Sequence, residues 1–146
     1  MIAPVFVDTN VLVYARDRSA GDKHERARAW MAHLWQSRRG RISFQVLDEY
    51  YAVVTRKLRP GLSQEEARSD VRDLLTWQPQ PVDGDAVETA WAVEDRFGLA
   101  SWDALVVAAA QISACRYLLT EDLQHGQDLD GVTVLSPFVA EPAATT

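Results

Sequence analysis

Short apolar runs alternate along the chain with longer segments in which apolar residues recur at helical spacing. The clearest run, residues 5–7, is Val-Phe-Val without polar alternation, which is typical of a strand buried on both faces of a parallel sheet. Runs at 116–120 and 132–135 predict two further strands, and 42–44 predicts a short one. Strands interleaved with helices predict an α/β fold with a mostly parallel sheet.

The helices between these strands are predicted from apolar periodicity and from their start signals. Ser63 and Glu66 have the spacing of a capping box, and Asp85 and Glu88 repeat it. Ser101 is a good N-cap for a helix that is apolar on nearly every side and is therefore predicted to be buried. With their caps, the predicted helices span about residues 11–15, 22–37, 45–58, 63–77, 85–97 and 101–114.

The length of 146 residues fits one domain. We predict a single domain over residues 1–138 and a frayed tail over 139–146. The one cysteine, Cys115, lies among apolar residues and is interpreted as a small buried hydrophobe, which suits a reducing compartment. No stretch is long and apolar enough for a membrane span, and no basic flank precedes the first apolar run. We therefore expect a cytoplasmic protein without a signal peptide.

Acidic residues follow two of the predicted strands. Asp8 comes directly after residues 5–7, and Glu121 and Asp122 follow the run at 116–120. Ligands of open α/β sheets bind outside the carboxyl ends of the strands, so these side chains are candidates for one site. Asp8 also fits a simple helix N-cap. The alternation of side chains does not choose between Glu121 and Asp122.

Two predicted helices supply further carboxylates. At about 100° per residue, Glu49 falls at the edge of the buried stripe of its helix, whereas Asp48 points away from it. An edge Glu can be purely structural. Asp103 lies in the first turn of the apolar helix, where the helix dipole alone could account for it. A carboxylate on a buried helix nevertheless needs a partner, because uncompensated loss of its hydration is costly.

Several carboxylates in one site repel each other and raise each other's pKa values unless a divalent cation neutralises them. Ligation by oxygen alone favours Mg²⁺ or Mn²⁺ over zinc. A zinc site is not indicated, because the three histidines lack ligand spacing and the single cysteine has no partner. Such a cation can activate water and stabilise charge on a phosphoryl oxygen. The residues therefore predict a Mg²⁺-dependent phosphoryl-transfer enzyme.

Charge is unevenly distributed along the chain. The net charge is −6, but residues 1–60 carry +5 and the remainder carries −11. Overall acidity argues against indiscriminate coating of nucleic acid, whereas a local basic face could attract phosphate. Ordinary solvated helix ends would explain the same residues. The candidates for RNA contact are Arg38, Arg39, Arg41, Arg56 and Lys57, with Arg59 beside them.

Four ordered segments of the chain resemble the motifs of PIN-domain ribonucleases, and within that family the VapC-type toxins of bacterial toxin-antitoxin pairs. The resemblance extends from about Val5 to Phe138. The matching segments are Val5-Phe-Val-Asp8-Thr-Asn10-Val-Leu, Gln45-Val-Leu-Asp-Glu49-Tyr, Ser101-Trp-Asp103-Ala-Leu and Leu119-Thr120-Glu-Asp122-Leu-Gln-His-Gly126, followed by Val134-Leu-Ser-Pro137-Phe138.

The resemblance implies a three-layer domain with a mostly parallel five-stranded sheet flanked by helices. It implies a Mg²⁺ or Mn²⁺ site where a metal-activated water attacks an RNA phosphodiester bond. It also implies an antitoxin partner and a homodimer. The acidic residues carried over are Asp8, Glu49, Asp103 and Asp122, in preference to Glu121, with Asn10 and Thr120 as supporting polar residues; Asp8 and Asp103 would hold the ion most directly.

Two other classes of function compete with this interpretation. A phosphatase or phosphoacceptor domain also places an Asp after its first strand, but it normally uses a lysine late in the chain. Here the only lysines are Lys23 and Lys57, and Asp8-Thr-Asn10 lacks a second Asp. The other alternative is a catalytically silent RNA-binding or protein-binding module on the same fold.

Overall fold

The computed structural model describes residues 2–146 as a five-stranded, mostly parallel sheet with six α-helices. The strand order is β2-β1-β3-β5-β4, and only the β4–β5 pair is antiparallel. The strands are β1 Val5–Val7, β2 Gly40–Arg41, β3 Tyr117–Leu119, β4 Asp128–Leu129 and β5 Val132–Leu135. The helices are α1 Thr9–Arg16, α2 Asp22–Ser37, α3 Phe44–Ala52, α4 Gln64–Leu75, α5 Gly84–Phe97 and α6 Ser101–Ile112. The predicted α/β class is confirmed.

Strand β1 occupies an interior position of the sheet because it pairs in parallel with β2 on one side and β3 on the other. Its three apolar side chains are fully buried, as their lack of polar alternation predicted. Val7 pairs with Leu119, so β1 and β3 end side by side. The residues that follow the two strands are therefore delivered to the same edge of the sheet.

Several boundaries differ from the predictions. The short strand lies at Gly40–Arg41 rather than at 42–44, because the Ser43 side chain accepts a hydrogen bond from the Val46 backbone and begins α3. Helix α5 is capped by Asp83, not by Asp85. Ala100 is the N-cap of α6, and Ser101 is already helical. The exact first residue of a helix depends on which nearby residue caps it in the folded chain, so these boundaries shift by one or two positions.

Other local predictions are confirmed. Helix α2 has the predicted bounds, and Ser63 and Glu66 form the capping box at the start of α4. Helix α6 is buried along most of its length, and Cys115 is buried beside its end. A π-helical segment, Val53–Lys57, continues α3 within the predicted helix at 45–58. Among the helices of residues 2–146, none has the length and apolar composition that crossing a bilayer requires.

Arg39 and the end of the chain correct two of the predictions. Arg39 was expected to contact RNA, but it is only 6% exposed and its guanidinium donates to the Ala3 carbonyl oxygen and to Thr145 Oγ1. Thr145 is buried in a 3₁₀ turn, Pro142–Thr145, where the sequence predicted a frayed tail. The turn supplies hydrogen-bond acceptors, Thr145 Oγ1 and the Thr145 carbonyl oxygen, that a buried guanidinium needs.

We expect Thr145→Val to lower the free energy of unfolding by about 1–3 kcal/mol, because valine keeps the volume but leaves the buried Arg39 guanidinium without that acceptor. Urea unfolding followed by circular dichroism measures the change. The control is Thr146→Val at the neighbouring exposed residue, expected to stay within about 0.5 kcal/mol. Equal stability of both variants would contradict a structural role for this contact.

Candidate active site

Asp8 lies directly after β1, where it is 7% exposed. One carboxylate oxygen, Oδ1, accepts a hydrogen bond of 2.7 Å from the Thr9 backbone N–H, so Asp8 is the N-cap of α1. The other oxygen, Oδ2, accepts from Thr120 Oγ1 at 2.8 Å and from Asn10 Nδ2 at 3.3 Å. Asp8 therefore caps a helix and also belongs to a polar network that joins two strand ends.

Asn10 links this network to the loop after β3. Its side-chain amide nitrogen lies 3.1 Å from Thr120 Oγ1 and 3.1 Å from Asp122 Oδ2. The backbone N–H of Asp122 donates to the same threonine hydroxyl oxygen at 3.1 Å. Asn10 and Thr120, the two residues predicted to support the site, thus connect Asp8 with Asp122.

Glu49 lies on α3 and contacts the residues next to Asp8 and Asp103. Its Oε2 accepts hydrogen bonds from Thr9 Oγ1 at 3.2 Å and from Trp102 Nε1 at 2.8 Å. Neither of these donors binds Oε1. The neighbouring Asp48 is exposed, as helical periodicity predicted, and does not line the pocket that Glu49 lines.

Asp103, in the first turn of α6, completes the set of predicted carboxylates. Its side chain is partly buried and lines a pocket of about 300 Å³ together with Asp8, Glu49 and Asp122. The four acidic residues predicted from the sequence, which are up to 114 positions apart along the chain (Asp8 to Asp122), are thus brought to one pocket at the carboxyl ends of β1 and β3.

Electrostatics in this pocket disfavours the charged form of its carboxylates. Burial raises the pKa of Asp8 from 3.8 to about 6; the hydrogen bonds from Thr120 and Thr9 oppose the rise, and the charges of Asp122 and Glu49 add to it. The pKa of Asp103 is also raised, first by burial and then by the charges of Asp122 and Glu49. Ionising the carboxylates of this pocket therefore costs more free energy than ionising exposed carboxylates.

Glu121 and Asp122 have different contacts. Asp122 bonds to Asn10, whereas Glu121 accepts from Tyr14 OH at 2.7 Å and pairs with Lys23 Nζ at 3.1 Å. Although both carboxylates line the pocket, the Glu121 charge is balanced by a lysine. These contacts favour Asp122 over Glu121 as the partner of Asp8.

The chemistry of the donor set suits a divalent cation. The four carboxylates offer the oxygen ligands that Mg²⁺ and Mn²⁺ prefer, and a cation would offset the burial and the mutual repulsion that raise the pKa values of Asp8 and Asp103. Within residues 2–146, however, no three acidic, His or Cys side chains are already grouped as a metal site. Binding would therefore require the carboxylates to converge on the ion.

The basic residues proposed for RNA contact lie elsewhere. None of Arg38, Arg39, Arg41, Arg56 and Lys57 is among the described residues that line the acidic pocket. Arg38 and Arg39 precede β2, at the amino-terminal edge of the sheet, because the Val5 N–H of β1 donates to the Arg39 carbonyl oxygen. With Arg39 buried, only the exposed members of this set remain available to a partner.

Thr9 and Trp102 were missed as site residues by the sequence reasoning. Both donate to Glu49, from positions 40 and 53 residues away along the chain. The only sequence signal is adjacency, since Thr9 follows Asp8 and Trp102 precedes Asp103. Neither hydrogen bond is predictable from local pattern, because both depend on how α3 packs near α1 and α6.

Comparison with known proteins places this arrangement in a family. The model of the PIN domain matches residues 5–127, which include all four acidic residues of the pocket. The chain belongs to the PIN domain family. No curated protein matches the sequence significantly.

The fold of this PIN domain is shared with solved structures of low sequence identity. A toxin-antitoxin complex from Klebsiella pneumoniae aligns with a TM-score of 0.63 and 20% identity, covering 94% of this chain and 98% of the other. FitAcB from Neisseria gonorrhoeae gives 0.64 and 18%, covering 93% and 99%. VapC20 of Mycobacterium tuberculosis, a sarcin-ricin loop cleaving toxin, gives 0.56 and 19%, covering 78% and 86%.

Proposed function

We propose that this PIN domain is a Mg²⁺- or Mn²⁺-dependent endoribonuclease and the toxin of a toxin-antitoxin pair. The observation that carries the proposal is the pocket shared by Asp8, Glu49, Asp103 and Asp122. Several carboxylates with few other reactive groups suit metal-assisted hydrolysis of a phosphodiester better than nucleophilic catalysis by the protein. PIN family membership and a structural neighbour that is a sarcin-ricin loop cleaving toxin support RNA as the substrate.

Each acidic residue has a proposed role. Asp8 and Asp103 would hold the ion, and Glu49 and Asp122 would complete its surroundings or orient the attacking water. When bound, such an ion lowers the pKa of water and stabilises charge on a phosphoryl oxygen. Asn10 and Thr120 would keep the Asp8 carboxylate in place through their hydrogen bonds. Thr9 and Trp102 would do the same for Glu49.

The toxin assignment and its partners follow by similarity. The alignments cover 93–94% of this chain and 98–99% of two neighbours, one of which is a toxin-antitoxin complex. An antitoxin protein is therefore the proposed partner. A homodimer is proposed as well, because the resemblance to VapC-type toxins implies one. A cytoplasmic location fits the single buried Cys115.

A catalytically silent binding module on the same fold is the second candidate. The observation that favours it is that no three acidic, His or Cys side chains among residues 2–146 are grouped closely enough to hold a metal. The two candidates differ in one measurable property, which is cleavage that depends on both a divalent cation and the carboxylates.

We expect the purified chain to cleave RNA in millimolar Mn²⁺ or Mg²⁺ and not in EDTA, and the same ions to raise its Tm by mass action. Total RNA and a panel of structured and single-stranded RNAs serve as substrates, with cleavage followed by mapping of the new ends. Glu49→Gln should reduce the rate by about 10–100-fold, since it weakens one carboxylate of the site while keeping an oxygen for Thr9 and Trp102.

Asp48→Asn is the matched control on the neighbouring exposed residue, and its rate should equal that of the wild type. Equal cleavage in EDTA, or equal rates for Glu49→Gln and Asp48→Asn, would contradict a metal-dependent site. Absence of any cleavage, together with binding of RNA, would favour the silent module.

A further inference from the structure

Two tryptophans beside the acidic pocket are unusually exposed. Trp91 of α5 is 58% exposed and Trp102 of α6 is 52% exposed. They line a small groove of about 170 Å³ whose remaining walls include Val87, Ala90, Leu105 and Glu94. Burial of aromatic area is among the largest favourable contributions that a side chain makes. Two exposed rings on one groove therefore indicate a surface that binds a ligand.

Trp102 connects this groove to the acidic pocket because it lines both. Its indole N–H donates to Glu49 Oε2 at 2.8 Å, which restricts rotation of the ring while half of the residue stays accessible to solvent. A ring held in this way loses little conformational entropy when a flat ligand stacks on it. The groove therefore lies next to the proposed catalytic site, and the hydrogen bond to Glu49 already orients the tryptophan ring that they share.

The charges of the groove indicate which part of a nucleotide it accepts. Glu94 is its only charged lining residue among those described, and it is acidic. A phosphate would be repelled there, whereas a base offers a π-face to the tryptophans and amino groups to the carboxylate. A nucleobase thus matches the groove and a backbone phosphate does not.

We propose that the groove between Trp102 and Trp91 binds a base of single-stranded RNA next to the phosphate that is cleaved, with Trp102 as its stacking surface. This inference rests on the proposed ribonuclease function. It adds a contact between the RNA and the protein outside the acidic pocket. Trp102 has a second effect, since its N–H also positions Glu49. The two effects are separable by substitution.

Three variants separate stacking from positioning in cleavage assays on an RNA that the wild type cleaves. Trp102→Phe keeps an aromatic face and loses the N–H, so kcat should fall several-fold with KM unchanged. Trp102→Leu loses both, so KM should also rise, by about ten-fold. Thr9→Val removes the other donor to the same Glu49 oxygen and should lower kcat alone. Unchanged KM in Trp102→Leu would overturn the proposal.

Binding is measured separately, by fluorescence anisotropy in EDTA and in an Asp103→Asn background, which together keep cleavage negligible during the measurement. The probes are labelled short oligoadenylate and an abasic ribose-phosphate oligomer of the same length and charge. Trp102→Leu and Trp91→Leu should each weaken oligoadenylate binding by about ten-fold and leave binding of the abasic oligomer unchanged. An equal loss for both probes, or no loss for either, would overturn the stacking role.

The alternative ligand for this groove is another protein. Sedimentation of the Trp91→Leu variant tests this: a lost oligomer with unchanged RNA affinity would assign the groove to a protein interface and overturn the proposal. If the proposed ribonuclease function is wrong, the wild type cleaves no RNA. If the wild type cleaves RNA and the tryptophan variants behave like it, only the stacking inference is contradicted.

Discussion

Asp103→Asn is expected to lower RNA cleavage by about 10²–10³-fold while leaving the fold intact. The estimate follows from the several kcal/mol that metal-assisted charge stabilisation contributes, at tenfold in rate per about 1.4 kcal/mol. Asparagine has nearly the same shape as aspartate but lacks the charge that holds the ion. The side chain lines the pocket from the first turn of α6 and is only partly buried, so the substitution removes little packing.

The measurement is the single-turnover rate in saturating Mn²⁺, with RNA binding assayed in parallel. Binding should be retained or strengthened, because removing a negative charge reduces repulsion of the phosphates. Asp48→Asn carries the same chemical change on an exposed surface outside the pocket and should cleave normally. Equal rates for Asp103→Asn and the wild type would remove the basis of the proposed mechanism.

Asp8→Asn is expected to make the metal-free protein more stable, by about 1–3 kcal/mol at pH 7.5, and to abolish its response to Mg²⁺. Burial raises the pKa of Asp8 to about 6, so the carboxylate is ionised at this pH against the preference of its surroundings. Asparagine removes that charge and remains a good N-cap for α1. The Thr120 hydroxyl can still pair with it, since a hydroxyl both donates and accepts. Asn10 Nδ2 loses its 3.3 Å acceptor on residue 8 but keeps Thr120 Oγ1 and Asp122 Oδ2.

The pH dependence of stability has a defined sign. Because the pKa of Asp8 is higher in the folded state than its ordinary value of 3.8, the folded state binds the proton more tightly. Stability of the wild type should therefore fall as pH rises from about 4 to about 6, by up to about 3 kcal/mol, and stay lowered above that range. In Asp8→Asn this contribution is absent, so the difference between the two proteins should grow with pH across the same window.

Thermal unfolding in EDTA at several pH values measures this difference. At pH 7.5 the Tm of Asp8→Asn should lie about 3–10 °C above that of the wild type. Millimolar Mg²⁺ should raise the Tm of the wild type but not that of Asp8→Asn, and less so below pH 6, where the proton competes with the ion for Asp8. Asp48→Asn should match the wild type throughout. A less stable Asp8→Asn protein would mean that the carboxylate is held by its hydrogen bonds and carries no penalty.

Much of the fold was predictable because its signals are local. Residues 5–7 form a buried strand since three apolar side chains in succession suit burial on both faces. The capping box at Ser63 begins α4, and Gly98 in the αL conformation ends α5, each through neighbouring residues of the chain. The β4 strand was missed, because two residues paired antiparallel across a tight turn carry no periodicity.

Local patterns along the chain were sufficient to predict the α/β class, the strand that carries Asp8 and the acidic candidates for the site. The contacts between distant residues became visible only in the folded chain: Trp102 and Thr9 donate to Glu49, Asn10 donates to Asp122, and Arg39 donates to Thr145. Apolar periodicity shows which face of a helix or strand is buried. It does not show which distant side chain contacts that face. The hydrogen bond between Asp8 and Thr120, 112 positions apart, exists because the parallel strands β1 and β3 end side by side at one edge of the sheet.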